Sequence, residues 1–506
     1  MPGRLEFTFG FNKQMQAPPT GASEVFNLLI IGNFSGRQES TRIGSISSVD
    51  MDNFEHTINL LLPTVKLELP NSDHPEINID IASLDDFHPD RLFRKLSIFK
   101  ALRETRRRLA DPNSFAEAAA EFNLGKNTHN PASTETDTDT DISANNNTGE
   151  SLFADLIGGK PVSAATDDRI SSSVQSFIHD IVAEHIQPGI EAEQKVILDA
   201  IDESISETMR LILHTPAFQQ LEATWRGLDK FISRVSVGDD IKLHILDIDK
   251  HSLSQHVEQF KANLAESTLY QRIIGEHSDT LGGQNWSLIV GDYHFDASAQ
   301  DIQLLAAMGT IAKHGACSFV AGADTKLVGC ASLFDTPESN QWQTPDTQAQ
   351  ELWSALRANP VANAIGLVAT DVIMRLPYGE NTSEIDSFKF EEIVDTCDEK
   401  AMQSNLLWVN GSIMCAIMIG QSVEQYGPQE EIGIILDVDN LPAYTYKCYG
   451  PTKLYPCAQI LMTEATAARL MQEGLMSFRS YKEHNKIRLT RLQSIASPVK
   501  ALLGPW

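Results

Sequence analysis

No stretch of this 506-residue chain supplies the ~20 consecutive apolar residues that a membrane-spanning helix needs. The nearest approach, Leu406 to Gly420, is interrupted by Asn410, Gly411 and Ser412 and reads as a buried core helix. The N-terminus, MPGRLEFTFGFNKQ, has no continuous apolar segment, so neither a Sec-type signal nor membrane insertion is expected, and the expected location is cytoplasmic. Positive charge is also scarce: 40 Lys and Arg against 68 Asp and Glu leave a net charge of −28. Such a chain has no general affinity for nucleic acid phosphates or anionic lipid. Basic residues gather only locally, at Lys95, Lys100, Arg103, Arg106, Arg107 and Arg108 and again at Arg479, Lys482, Lys486, Arg488 and Arg491. Each cluster reads as a solvated face, or as a patch for acidic residues of a neighbouring copy. The six cysteines form no C-x-x-C pair and sit mostly in apolar stretches, which predicts reduced, buried thiols.

The usual signatures of catalysis are missing as well. Gly159-Lys160 is followed by Pro161, with Ala154 where a Walker loop needs its first glycine. There is no G-x-G-x-x-G and no H-E-x-x-H, and Ser35 lies in G-x-x-S-G, unlike the G-x-S-x-G of a nucleophile elbow. No cofactor and no enzymatic activity are expected. One constellation remains: Asp292, His294 and Asp296 alternate along an extended segment and share a face, as metal ligands could. No second cluster completes a shell, and the competing reading is a strand-end turn whose carboxylates cap backbone N–H groups. A metal-dependent enzyme is therefore the distant alternative.

A second metal-like pattern fails on inspection. Within TETDTDTDISANNNTGE, Asp137, Asp139 and Asp141 recur at every second position, as in a calcium loop. The glycine that such a loop requires at its sixth position is Ile142 in one register and Ala144 in the other. The tract reads as a solvated linker.

What is present is a mixed α/β chain of several domains. Residues 1–22 carry a strand, with Leu5, Phe7, Phe9 and Phe11 on one face, and then a Pro/Gly linker. Residues 23–122 read as a compact unit that opens with the apolar strand Phe26 to Gly32 and the turn Asn33-Phe34-Ser35-Gly36. It continues through the strand Thr64 to Leu69 to a single helix after Pro89, with Leu92, Leu96, Phe99, Leu102 and Leu109 on its stripe. The linker spans 123–150. Residues 151–234 are helical: a short amphipathic piece at Ser151 to Ile157, a helix with Ile197, Ile201, Ile205, Met209 and Ile212 in line, and another opened by Thr215 as N-cap and Pro216.

Residues 235–430 alternate strands and helices. Trp286 to Gly291 and Cys317 to Ala321 read as strands, and between them a capping box of Ser298 and Asp301 opens a helix. This order predicts a right-handed α/β crossover. Residues 431–506 mix short strands with a helix over Thr463 to Gln472. Trp225-Arg226-Gly227 reads as a core Trp with a snorkelling or paired Arg, and Arg375-Leu376-Pro377-Tyr378-Gly379 as a β-turn.

Taken in order, Leu213 to Phe218, Leu221 to Leu228 with Trp225, Arg226 and Gly227, Val290 to Asp296 with Asp292, Phe295 and Asp296, and Arg375 to Gly379 resemble the large subunit (TssC) of the type VI secretion contractile sheath. Ile31 to Gly36 and Ser83-Leu84-Asp85-Asp86-Phe87 resemble its small subunit (TssB). The resemblance implies a fusion of both, with the acidic tract as the junction. It implies a sheath-type protomer of mixed sheets flanked by helices, which polymerises helically with itself around an inner-tube protein, meets baseplate components and contracts to drive the tube outward. The Leu5 to Phe11 strand would serve strand exchange between protomers. Leu152, Phe153, Leu156 and Ile157 would present the helix gripped by a AAA+ recycling ATPase. The end, Ser477 to Trp506, departs from the family's Gly- and Cys-containing tail, which keeps open a sheath-like adapter or cap at the baseplate or sheath end.

Overall fold

A computed structural model describes residues 25–37, 43–67, 77–111, 114, 190–277, 283–343, 345–427 and 434–506. The strand of Leu5, Phe7, Phe9 and Phe11, the acidic linker and the segment of Leu152, Phe153, Leu156 and Ile157 lie outside these residues. The described residues fall into two compact units. One is drawn from Met1–Lys66, Asn78–Leu92 and Met209–Trp506, the other from Leu67–Ile77 and Phe93–Thr208.

In chain order the first elements are β1 (Phe26–Gly32), β2 (Ser47–Val49), α1 (Phe54–Leu61), β3 (Thr64–Leu67), β4 (Ile77–Asp80), α2 (Pro89–Lys95) and α3 (Ser97–Ala110). Next come α4 (Ile190–Leu213), α5 (Pro216–Arg234), β5 (Ile241–Asp247), α6 (Lys250–Gln259), β6 (Leu288–Phe295), α7 (Ala299–His314) and β7 (Ser318–Ala323). Then follow α8 (Thr347–Ala358), β8 (Ile365–Val368), β9 (Val372–Ile373), α9 (Glu399–Asn405), β10 (Trp408–Val409) and α10 (Gly411–Tyr426). The chain closes with β11 (Asp437–Val438), β12 (Thr445–Tyr446), β13 (Lys453–Leu454), α11 (Glu464–Gln472), β14 (Leu475–Met476), β15 (Phe478–Ser480) and β16 (Ile487–Leu489).

The larger unit is organised by a seven-stranded sheet in the order β14-β8-β7-β6-β1-β5-β2. The six strands from β14 to β5 are parallel, and only the edge strand β2 is antiparallel. Parallel strands covered on both faces read as continuous apolar runs. That is why FNLLIIG and SFVAGA have every residue buried.

β1, from near the N-terminus, lies between β5 and β6, with Leu28 opposite Leu243 on one side and Leu288 on the other. Side chains alternate between the faces. Leu29, Ile31, Ile289, Phe319 and Leu367 join the cluster built on Ile302, Leu305, Met308 and Ile311 of α7. The opposite face receives α10, which packs on β6, β7 and β8 while α5 lies against α10 and β10. From Gly411 to Gly420 every residue of α10 is buried, but the run expected as one helix from Leu406 is not helical at its start: Trp408–Val409 is β10, and the helix begins only after Asn410, whose side chain caps it.

Several local expectations change in three dimensions. The single helix after Pro89 is two, because Leu96 is extended (φ −78°, ψ 135°) and breaks the run between α2 and α3. Its apolar positions stay buried, and the Arg103 guanidinium donates to the Arg94 carbonyl at 3.5 Å beside the break. Thr215 precedes α5 with Pro216 in the first turn but does not cap it: its hydroxyl donates to the Leu211 carbonyl at 2.7 Å. Ser298 does cap α7, accepting from the Asp301 amide at 3.2 Å. The capping box stays open because the Asp301 carboxylate turns to the Asp296 amide and Lys250.

The thiol expectation is corrected too. Cys397 and Cys448 are bonded, with Cα atoms 5.1 Å apart, while Cys317, Cys330, Cys415 and Cys457 are free and buried. The basic clusters find acidic partners within the chain: Arg106 with Asp202 and Arg107 with Glu104 in one, Arg479 with Glu464 and Arg488 with Asp437 in the other.

Candidate functional site

The motif residues Asn33 to Gly36 leave the end of β1 in a tight turn held from three directions. Phe34 is fully buried edge-on to Trp225, with ring centroids 5.5 Å apart. Its carbonyl accepts from the Trp225 indole N–H at 2.8 Å. The Ser35 amide donates to Asp247 Oδ1 at 2.9 Å, and the Ser35 carbonyl accepts from the Thr64 amide at 3.0 Å. Burial pushes the Asp247 carboxyl up, and the bonds from Ser35 and Phe34 oppose this. Gly36 has φ +68°, and a Cβ there would lie 2.6 Å from the Thr64 carbonyl oxygen, so glycine is required twice over. Asn33 Oδ1 is buried with no hydrogen-bond partner among the described residues.

One helical turn from Trp225 lies a set of buried charges in which Arg226 and Arg375 meet two glutamates that the sequence reading does not single out. Glu222 of α5, fully buried, accepts from Arg226 Nε at 2.7 Å and Arg375 Nε at 2.8 Å. Arg375 also grips Glu392 with both terminal nitrogens, at 2.7 and 3.0 Å, in the bidentate geometry that makes Arg–carboxylate pairs strong. Its guanidinium lies over the Tyr378 ring, 4.3 Å from the centroid, and the Tyr378 amide donates to Glu392 at 2.7 Å. Burial alone would push Glu392 up, but the Arg375 charge and these hydrogen bonds outweigh it and hold the carboxyl at about 2. Burial works against the Arg375 cation, yet Glu222 and Glu392 hold its pKa well above the usual value.

The β-turn expected at Arg375 to Gly379 instead follows that segment, where the Thr382 amide donates to the Gly379 carbonyl at 3.2 Å, and Arg375 to Gly379 carries the ion network. Gly379 donates to the Ser383 carbonyl at 2.9 Å, and Pro377 accepts from the Ser383 amide at 3.3 Å. The segment after Ser83-Leu84-Asp85-Asp86-Phe87 reaches the same place. Phe87 packs edge-on against Phe218 of α5, His88 edge-on against Tyr378, and Asp90 accepts from the Asp386 and Ser387 amides at 3.1 and 2.9 Å. Gly227, on the opposite side of α5, lets the helix close on β10 and α10. A Cβ there would stand 2.9 Å from Val409 Cγ2 and 3.3 Å from Ile413 Cγ2.

Asp292, His294 and Asp296 do not converge. Each takes a partner of its own, across a register shift in β6 between Gly291 and His294. Asp292 Oδ2 accepts from the Thr224 hydroxyl at 2.5 Å, and burial pushes its carboxyl up. His294 Nε2 pairs with Asp371 at 2.9 Å, which raises its pKa to about 9. Asp296 accepts from the Ser298 amide at 2.8 Å, the capping role weighed against metal binding. Among the described residues no group of three or more His, Cys, Asp or Glu side chains is arranged to hold a metal. Phe295 is buried, with Lys250 4.9 Å from its ring centroid.

All of these contacts hold the chain to itself, and a comparison with known families agrees with that structural character. Residues 195–496 match the family model VipB, described as EvpB/VC_A0108, tail sheath N-terminal domain. The chain belongs to the type VI secretion tail-sheath family. Residues 22–125 match a second model, described as type VI secretion system, VipA, VC_A0107 or Hcp2, so small- and large-subunit parts stand on one polypeptide. The sheath protein TssC1 of Pseudomonas aeruginosa is 28% identical over 313 residues, which cover 60% of this chain and 61% of the relative. The chain thus spans less than two thirds of that protein's length.

In this family setting the motif residues act as a lock. The turn motif is pinned by Trp225, and Arg375 to Gly379 is pinned by Glu222 and Glu392. Sequence reasoning missed both glutamates. Glu222 carried a signal, since it stands four residues before Arg226 on one helix, the spacing of a favourable pair. Glu392 carried none, because only the fold brings it to Arg375.

Proposed function

We propose that this chain is a structural subunit of a type VI contractile sheath, which polymerises around an inner tube and contracts to propel it. One observation carries the reading: β1, from the small-subunit match, lies between β5 and β6 of the large-subunit match, so the two parts build one sheet. A tether between two such parts fixes their ratio at one to one and raises their effective concentration. The lock around Arg375 and Trp225 suits a body that must transmit force without deforming. The proposed partners are further copies of the chain, the inner-tube protein, baseplate components and a AAA+ ATPase that grips Leu152, Phe153, Leu156 and Ile157 for recycling. A cytoplasmic location is proposed with them. Among the described residues no helix is long and apolar enough to cross a membrane.

Neighbouring protomers are proposed to exchange the strand of Leu5, Phe7, Phe9 and Phe11, since main-chain hydrogen bonds can hold a lattice while side-chain interfaces rearrange. Electron microscopy of the purified or co-expressed protein is the test, and hollow tubes with a cogwheel cross-section are the expected result. Rings or single protomers alone, even with the inner-tube protein present, would favour the adapter or cap. Removing Met1 to Lys13 should leave the circular dichroism spectrum unchanged and abolish tubes; tubes that survive would sink the strand exchange.

A further inference from the structure

The six cysteines divide into two chemical groups. Cys317, Cys330, Cys415 and Cys457 are buried, and burial pushes the thiols of Cys317 and Cys415 up to about 12 and that of Cys457 to about 11. The thiols of Cys317, Cys415 and Cys457 therefore hold almost no thiolate, the form that reacts. Cys397 is exposed and Cys448 half-buried, and they are the two that meet. They lie 51 residues apart in sequence, one just before α9 and the other in the turn between β12 and β13.

Contacts that need no sulfur also bring these two segments together. The Thr396 hydroxyl donates to the Lys447 carbonyl at 2.8 Å, beside the sulfur pair. Tyr455 donates to Gln403 of α9 at 2.8 Å, and Tyr446 lies within reach of Glu399 at 3.4 Å. The rings of Tyr444, Tyr446 and Tyr455 pack on one another with centroids 5.8 to 6.4 Å apart, and Trp408 joins them. A reduced pair would therefore stay close, its encounter already arranged by the fold. The Cα separation of 5.1 Å is within the range a disulfide spans without backbone movement.

We propose that Cys397 and Cys448 form a reversible redox clip, which is open as two thiols under reducing conditions and is closed by peroxide. The exposed Cys397 thiolate attacks a peroxide oxygen, the O–O bond breaks, and one water leaves with a sulfenic acid formed on Cys397. The Cys448 thiolate attacks that sulfur, the S–S bond forms and a second water leaves. Two thiols are oxidised and one hydrogen peroxide is reduced to two waters. A dithiol reductant reverses the step through a mixed disulfide. The closed clip fastens the β12–β13 turn to the segment before α9, and exposed Val394 and Tyr449 flank it.

The test uses the full chain, reduced and then treated with one equivalent of hydrogen peroxide under native conditions. Maleimide counting after denaturation should show two of the six thiols lost, and non-reducing peptide mass spectrometry should find the Cys397–Cys448 link. Dithiothreitol under native conditions should restore six. Cys397→Ser should keep all five remaining thiols free after the same treatment. Trypsin cleavage after Lys453 should be at least ~5-fold slower in the oxidised chain. Losses spread over all six thiols, a link that native dithiothreitol cannot open, or equal cleavage rates in both states would each overturn the clip. Every readout concerns the isolated chain, so none depends on whether it builds tubes.

Discussion

Arg375 shows how much one side chain can hold when its charge is removed from water. It is 10% exposed and its two partners, Glu222 and Glu392, are 0% and 1% exposed; Glu222 shares it with Arg226, whereas Glu392 takes both terminal nitrogens of Arg375 and depends on it most. Replacing one partner of such a set leaves an uncompensated buried charge, at a cost of ~3–5 kcal/mol. Arg375→Met keeps the length of the side chain and removes the charge, and it should lower stability by about that amount at pH 7 in urea unfolding. The pH dependence gives the sign. The folded-state pKa of Glu392, about 2, lies below its ordinary 4.5, so the stabilisation is fully present above 4.5 and is lost as pH falls through 2. In Arg375→Met the carboxylate can protonate instead, so the gap between variant and parent should narrow on acidification. A gap that stays constant from pH 7 to pH 3 would show that the loss is one of packing alone. The pair of His294 and Asp371 is a weaker case, because the imidazole is 46% exposed and solvent screens the contact.

At the scale of elements, α5 is held by two opposite faces. One carries Trp225 and Glu222, and the other closes on β10 and α10 at Gly227. A Cβ at Gly227 would sit inside normal contact distance of branched Val409 and Ile413, neither of which can swing away as a long flexible chain could. Gly227→Val should cost ~1–3 kcal/mol through overpacking, despite the gain in helix propensity that removing a glycine brings. Thermal unfolding followed by circular dichroism checks it, and an unchanged or raised Tm would refute the close approach.

Much at this scale was legible in the sequence. The continuous apolar run of β1 announces a strand buried on both faces, and Ser298 announces the start of α7. What was not legible depends on distant partners. The break at Leu96 interrupts an apolar stripe that continues on both sides of it. Thr215 has the right identity for a cap but spends its hydroxyl on the preceding turn. The pairing of Cys397 with Cys448 and of Arg375 with Glu392 exists only because loops far apart in sequence are folded together.

Whole-molecule behaviour follows from where β1 sits. A strand at a sheet edge can be lost with its own pairings only, but β1 separates β5 from β6 and pairs with both, from Phe26 to Gly32 on one side and Leu28 to Ile31 on the other. Removing it would bare two strand edges in the middle of a parallel sheet, each an open template for pairing with other chains. It would also strip the indole of Trp225 of its acceptor, the Phe34 carbonyl, and Asp247 of the Ser35 amide. A chain reduced to residues 151–506 should therefore be recovered as aggregate, and co-expression with residues 1–150 as a separate chain should restore solubility, with the two co-eluting one to one in size exclusion. Because a covalent tether raises the effective concentration of the strand, Trp225→Phe should weaken this reassembly while leaving the fused chain folded. The indole hydrogen bond is worth ~1 kcal/mol, a loss that a tethered strand tolerates and a separate one meets as a several-fold higher dissociation constant. Soluble, monodisperse 151–506 on its own would mean that the sheet closes without β1, and the fusion would then need another explanation.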